Sequence, residues 1–189
     1  ADQSIWIAQR EGRAKDGIDK TDTAVLKMLA LNGRARDESF AQTMAAMRPV
    51  PVSIQYEWDP CDAEKARELV IRKESGTYEK SSDEDTRSIL RGLTGYKGRV
   101  FVDFGKPLTG EDIESAEAMA AAIDRQMNEL TELLPVHQAA ANLLQNRPCE
   151  GDEMKAAEEL KRRTAALTEE QGKRLLTTYA VPAKGITGL

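Results

Sequence analysis

One histidine, two cysteines and an aromatic content of 5% in 189 residues leave this chain short of the side chains that carry much of enzyme chemistry. Cys61 and Cys149 lie far apart with no CxxC spacing and no histidine beside them, which excludes a zinc ligand set or a disulfide framework and leaves two ordinary reduced thiols. The single histidine, His137, is followed by Gln138-Ala139-Ala140-Ala141-Asn142, so no carboxylate follows it to fix its tautomer, and it reads as a surface or helix-start residue. No apolar run approaches the roughly 18–20 residues that cross a bilayer, and no basic-then-apolar leader opens the sequence. A net charge of −5 and a pI near 5.2 argue against a nucleic-acid partner or a generally basic membrane-binding face, although a local basic patch can still hold one phosphate. Trp6 and Trp58 read as packing residues.

What is present suits a globular fold: 40% apolar and 31% charged residues, with a mean hydropathy of −0.54. Ser4 to Ala8 is a short apolar run and reads as a buried strand. Thr23 to Leu31 repeats with helical spacing up to Asn32-Gly33, and a second helix is expected from about Asp37 to Met47. Val50, Val52, Ile54, Tyr56 and Trp58 alternate with polar residues as a strand does, with Pro49 and Pro51 at its beginning or edge. Helix is expected again from about Asp62 to Lys73, and then from a Ser82 cap with Asp85 as its reciprocal partner. Arg99 to Phe104 reads as the third strand. Thr109 is expected to cap a long helix striped by Ile113, Ala116, Met119, Ile123, Met127, Leu130 and Leu134. Helices follow over Val136 to Asn146, Asp152 to Ala166 and Thr168 to Tyr179, with a tail to Leu189.

That order predicts an α/β fold: a small, mixed, largely parallel sheet with helical crossovers over residues 1–110, and an α-helical extension over 111–189. Three strands make a meagre sheet. The open edge is expected to be covered by a second copy of the chain, as a homodimer, or by an N-terminal half outside this sequence.

The run Gln9-Arg10-Glu11-Gly12-Arg13-Ala14-Lys15-Asp16-Gly17 directly follows the first predicted strand. A strand end with clustered cations, a carboxylate and two glycines is a place where α/β proteins hold anions. Arg13 can make paired charge-assisted hydrogen bonds to a phosphate, Lys15 adds a point charge, and Gly12 lets backbone approach the ligand. Glu11 can orient Arg13 or accept a hydrogen bond from a ligand hydroxyl. Arg10 is a third cation. The competing reading is a solvated charged loop whose exposed pairs are each worth under about 1 kcal/mol.

Taken in order, Glu11-Gly12-Arg13-Ala14-Lys15-Asp16-Gly17, Val50-Pro51-Val52 and Gly105-Lys106-Pro107-Leu108 resemble the glycerophosphate and lysophosphatidate acyltransferase family over the first 110 or so residues. Two departures are visible: Arg10 stands where the family has proline, and the threonine after the glycine is missing, so Arg13 and Lys15 fall on the two basic positions. The resemblance implies acyl transfer from an acyl thioester, of coenzyme A or acyl-carrier protein, to a hydroxyl of a phosphorylated glycerol. Glu11, Gly12, Arg13 and Lys15 would bind the acceptor, with no metal and no cofactor beyond the thioester. The family's catalytic histidine, with an aspartate after four intervening residues, lies upstream of the glutamate-glycine block and is absent here, so the chain is expected to be an inactive C-terminal part. The resemblance also implies a place on the cytoplasmic side, with peripheral membrane contact or anchorage through sequence not present. Two alternatives stay open: a non-catalytic module binding a phosphoanion or lipid, and a helical module that docks a partner.

Overall fold

A computed structural model describes residues 3–10 and 14–183. Among them are eight α-helices and two strands: α1 (Thr23–Ala30), α2 (Phe40–Met47), β1 (Val52–Tyr56), α3 (Asp62–Ser75), α4 (Glu84–Thr94), β2 (Val100–Phe104), α5 (Ala116–Glu129), α6 (Pro135–Leu144), α7 (Asp152–Thr164) and α8 (Glu169–Tyr179). The chain divides into two compact units, each with its own apolar core.

The first unit comprises Ala1–Ala14, Asp19–Ile54 and Val102–Thr131. Asp22 starts α1 by accepting the Ala24 N–H at 2.8 Å, and Ser39 and Gln42 cap α2 reciprocally. Between them, a 3-10 segment (Leu31–Arg36) ends at Asp37 in the left-handed region. Leu26 of α1, Met44 of α2, Leu108 and Ile113 of the segment before α5, and Met119 and Ile123 of α5 form the core. The helical spacing of the α5 stripe puts the last two on one face. Gly33 is required by packing, because a Cβ there would lie 1.9 Å from Thr43 Oγ1 and 2.9 Å from Glu38 Oε2. Gly33→Ala is expected to cost about 1–3 kcal/mol, the usual range for overpacking. A urea-unfolding midpoint equal to that of the parent would contradict it.

The second unit comprises Lys15–Ile18, Gln55–Phe101 and Glu132–Leu189. Its centre is built from alanines: Ala139, Ala140, Ala141, Ala156, Ala157 and Ala180 are all buried, beside Val136, Leu160 and Leu175. Small side chains let α6, α7 and α8 approach closely, and larger residues close the rim. Trp58 meets Tyr179 edge-on at 5.8 Å between ring centres. Pro135 occupies the first turn of α6, where its missing N–H costs nothing.

Most helices fall close to where periodicity placed them, but the long helix expected from Thr109 through Leu134 is cut to α5, with Ile113 in a 3-10 turn before it and Leu134 at the start of α6, and the sheet does not follow the expectation. The expected α/β fold with a largely parallel sheet is overturned: the molecule is mostly helical and has a two-stranded antiparallel sheet. Gly105 N–H donates to Pro51 C=O at 2.8 Å and Glu57 N–H to Arg99 C=O at 2.9 Å, which sets Val52 opposite Phe104, Ile54 opposite Val102 and Tyr56 opposite Val100. A chain segment that carries two helices between its strands can return in either direction, so helical connections alone did not make the pair parallel. Ser4 to Ala8 forms no strand among the described residues, and Ile5, Trp6 and Ile7 are exposed. An apolar run makes a strand only where another strand satisfies its backbone groups.

The alternating face of β1 is also turned outward. Ile54, Tyr56, Val100, Val102 and Phe104 are exposed, Ser53 is buried on the opposite face, and Trp58, beyond the strand end, is buried. The expected Ser82 cap is not made: Asp83 precedes α4 without a side-chain cap bond. Thr109 likewise makes none, and Ser115 caps α5 by accepting from Ala118 N–H at 3.1 Å.

Candidate functional site

Glu11, Gly12 and Arg13 lie outside the described residues. The positions on either side of them are held within their own units. Gln9 C=O accepts the Asp22 N–H at 2.9 Å. Lys15 donates its ammonium to the Glu68 carboxylate, which also receives Arg72 Nε at 2.8 Å. Glu68 is only 5% exposed, so its charge is one that burial would penalise without those two cations. The positive charge of Lys15 is thus partly neutralised by a carboxylate that it shares with Arg72. Asp16 accepts the Ile18 N–H at 3.1 Å, a local turn that aims Gly17 at the end of α8. Gly17 has φ +79°, and a Cβ there would lie 2.9 Å from Thr178 C=O.

Lys15 also borders a small cavity of about 40 Å³ lined by Asp59, Asp62, Lys65, Leu175, Thr178 and Tyr179. Behind it lies a polar cluster of the second unit. Tyr179 Oη donates to Asp62 Oδ2 at 2.9 Å and accepts the Asp59 N–H at 2.9 Å. Arg163 donates through Nη1 to Asp62 Oδ2 at 2.7 Å and through Nε to Glu159 at 2.7 Å, while its guanidinium stands 4.8 Å from the Trp58 ring centre. Lys65 donates to Asp59. Burial, with Asp62 beside it, drives the Tyr179 phenol well above its ordinary value. Burial opposes the Arg163 charge, but the Asp62 hydrogen bond and the neighbouring Tyr179 and Asp62 outweigh it and raise its pKa.

This cluster was not foreseen. Its signal in the sequence is Trp58-Asp59-Pro60-Cys61-Asp62, two carboxylates where a strand hands over to a helix. Its partners, Arg163 and Tyr179, come from helices about a hundred residues away, and their spacing carries no hint of the meeting. Each charge in it is paired with another, which suits holding α3, α7 and α8 together rather than turning over a substrate.

His137 starts α6 and is buried, so the helix-start reading holds and the surface one does not. Its Nδ1 accepts the Leu134 N–H at 3.1 Å, which keeps the ring neutral with its proton on Nε2. Burial pushes its pKa down to about 4, and the nearby Glu57 carboxylate opposes that only in part. Among the described residues no carboxylate is hydrogen-bonded to the ring.

Two of the three sequence blocks are brought together. Pro51 C=O accepts from Gly105 N–H, and Pro49 C=O accepts from Leu108 N–H at 2.9 Å, so the Val50-Pro51-Val52 and Gly105-Lys106-Pro107-Leu108 blocks are zipped side by side in the first unit. Proline lacks a donor but keeps its acceptor, and here only acceptors are used. The Gln126 side chain seals the turn, accepting from Lys106 N–H at 2.7 Å and donating to Lys106 C=O at 3.2 Å. A Cβ on Gly105 would lie 2.2 Å from Gln126 Oε1, which explains the glycine.

Cys61 and Cys149 are both free thiols. Among the described residues no group of histidines, cysteines and carboxylates could hold a metal ion, and no helix is long and apolar enough to cross a membrane. Comparison with known protein families, with curated proteins and with solved structures finds no match.

Proposed function

We propose that this chain is the acceptor-binding part of a glycerolipid acyltransferase, whose Glu11, Gly12, Arg13 and Lys15 grip a phosphorylated glycerol. The observation that carries the reading is the pairing of the Val-Pro-Val and Gly-Lys-Pro-Leu blocks. They are about fifty residues apart in sequence, yet they are hydrogen-bonded neighbours, as segments serving one site would be.

In this scheme Arg13 holds the acceptor phosphate through paired hydrogen bonds. Each charge-assisted bond is worth about 1.5–3 kcal/mol. Because Lys15 is tied to Glu68, its part is to fix the end of the loop and lend a partly neutralised charge, which makes Arg13 the principal anion ligand. Transfer of an acyl group from a thioester also needs a base for the acceptor hydroxyl and donors for the oxyanion. His137 cannot be that base: it is buried, its Nδ1 is committed to Leu134, and no carboxylate orients it. A histidine with an aspartate after four intervening residues is therefore supplied by other sequence, and these 189 residues alone are inactive.

Arg13→Ala in the complete enzyme is expected to raise the glycerol-phosphate KM at least about tenfold, since the loss of ~1.4 kcal/mol is a factor of ten. An unchanged KM would remove Arg13 from the site. Acyl transfer by the 189 residues alone, followed with a radiolabelled acyl thioester, would refute the division of labour.

A further inference from the structure

Helix α4 is amphipathic, and it is oriented the wrong way round for a helix serving only its own core. The half-buried side carries Glu84, Ser88 and Gly92, with the Ser88 hydroxyl 3.8 Å from Cys61 Sγ. The apolar side faces out: Ile89 is 61% exposed, Leu90 60%, Leu93 75% and, just past the helix end, Tyr96 72%. No residue of α4 is buried. Four large apolar side chains on one exposed stripe are not the scattered apolar residues of an ordinary surface.

The charges around this stripe are one-sided. From Thr86 to Val102 there is no aspartate or glutamate, while Arg87, Arg91, Lys97 and Arg99 fall within it, in a chain whose net charge is −5. Arg87 pairs with Asp83, Arg91 with Glu64 and Arg99 with Glu57, yet the three arginine side chains remain 65%, 51% and 56% exposed. The Arg87 and Arg91 pairs, exposed on both sides, hold weakly and leave the guanidinium free to take a stronger anion, whereas Arg99 is bonded to the half-buried Glu57 through its backbone N–H, Nε and Nη2. Lys97 donates to the C=O groups of Leu93 and Gly95, closing the last turn. The acids, Asp83, Glu84 and Asp85, are gathered at the opposite end of the helix. Lys80 pairs with Asp85, and Tyr78 donates to Glu84.

We propose that α4 seats on an anionic lipid bilayer, lying in the interface with Ile89, Leu93 and Tyr96 in the acyl boundary and Arg87, Arg91, Lys97 and Arg99 at the level of the headgroup phosphates. A helix with an apolar face, flanking cations and an aromatic residue at the rim is the pattern of an interfacial anchor. The acid-free half enters and the acidic end tilts away from the surface. The inference stands on α4 alone and does not depend on the acyltransferase reading, which tests the residue 11–15 loop.

The test is co-sedimentation of the 189-residue chain with vesicles of phosphatidylcholine alone or with 30% phosphatidylglycerol, an order-of-magnitude anionic fraction for a surface of this kind. Binding is expected to the anionic vesicles only, to weaken in high salt, and to fall at least about tenfold in Ile89→Glu/Leu93→Glu, the loss of more than ~1.4 kcal/mol. Both side chains are exposed, so far-UV circular dichroism should not change. Hydrogen exchange over residues 84–97, which needs no variant, is expected to slow when anionic vesicles are added. Equal binding to neutral vesicles, binding untouched by the double substitution, or no protection of α4 would each overturn the proposal. So would a dimer that the double substitution dissociates in the absence of vesicle binding, which would make a second copy the occupant.

Discussion

Asp62→Ala is expected to lower the unfolding free energy by about 3–5 kcal/mol, the range for breaking a buried ion pair from one side. Asp62 receives Arg163 Nη1 at 2.7 Å and Tyr179 Oη at 2.9 Å, and its side chain and that of Arg163 are 11% and 14% exposed. Removing the carboxylate leaves a guanidinium with a large part of its charge out of water and a buried phenol without its acceptor, and the desolvation cost of both then goes uncompensated. The double variant Asp62→Ala/Arg163→Met is expected to lose less than the sum of the two single changes, because the orphaned cation disappears and the methionine keeps the stem packed near Trp58. Urea unfolding of the four proteins measures the coupling. Additive losses would mean that the two side chains act independently, and a small loss in Asp62→Ala would mean that Glu159 and the Asp59 carbonyl already suffice for Arg163.

Acidification supplies the second large effect. His137 has a folded pKa of about 4 against an ordinary value of 6.5. The unfolded chain therefore takes up a proton as the pH falls below 6.5, while the folded chain resists until about pH 4, so stability falls through that window and is fully present above it. With about 1.4 kcal/mol per unit, the gap of roughly 2.5 units amounts to about 3 kcal/mol. Glu57 and Glu159 are held below the usual carboxylate range by hydrogen bonds, from Arg99 and from Arg162 and Arg163 respectively, so their losses begin only below their ordinary values. Between pH 6.5 and 5 the slope therefore belongs to His137. In His137→Gln, whose amide oxygen can still accept the Leu134 N–H, that slope is expected to vanish in unfolding curves taken at intervals across the window. A persistent slope would assign it to other groups.

Much of the helical content could be read in the residues. Periodic apolar positions placed α1, α2 and α6 within a few residues, because helix formation is decided by contacts three and four positions apart. The Ser4 to Ala8 run shows the limit. Its composition is that of a strand, but strand formation needs a hydrogen-bonding partner whose position lies elsewhere in the chain, and among the described residues none pairs with it. Tyr56 and Trp58 show a second limit. They share an alternating pattern, and yet one is exposed and the other buried, because the pattern fixes which side chains share a face and not which face is covered.

The sequence by itself determined that helices form over most of the stretches with periodic apolar positions, since that depends on neighbours three and four positions along the chain. Only the tertiary structure decided that the two strands run antiparallel, that Lys15 is claimed by Glu68, that His137 caps a helix in the core, and that the apolar side of α4 looks outward. Each of these results from contacts between residues tens of positions apart, and a pattern of near neighbours carries no information about which distant groups will exclude water from one another.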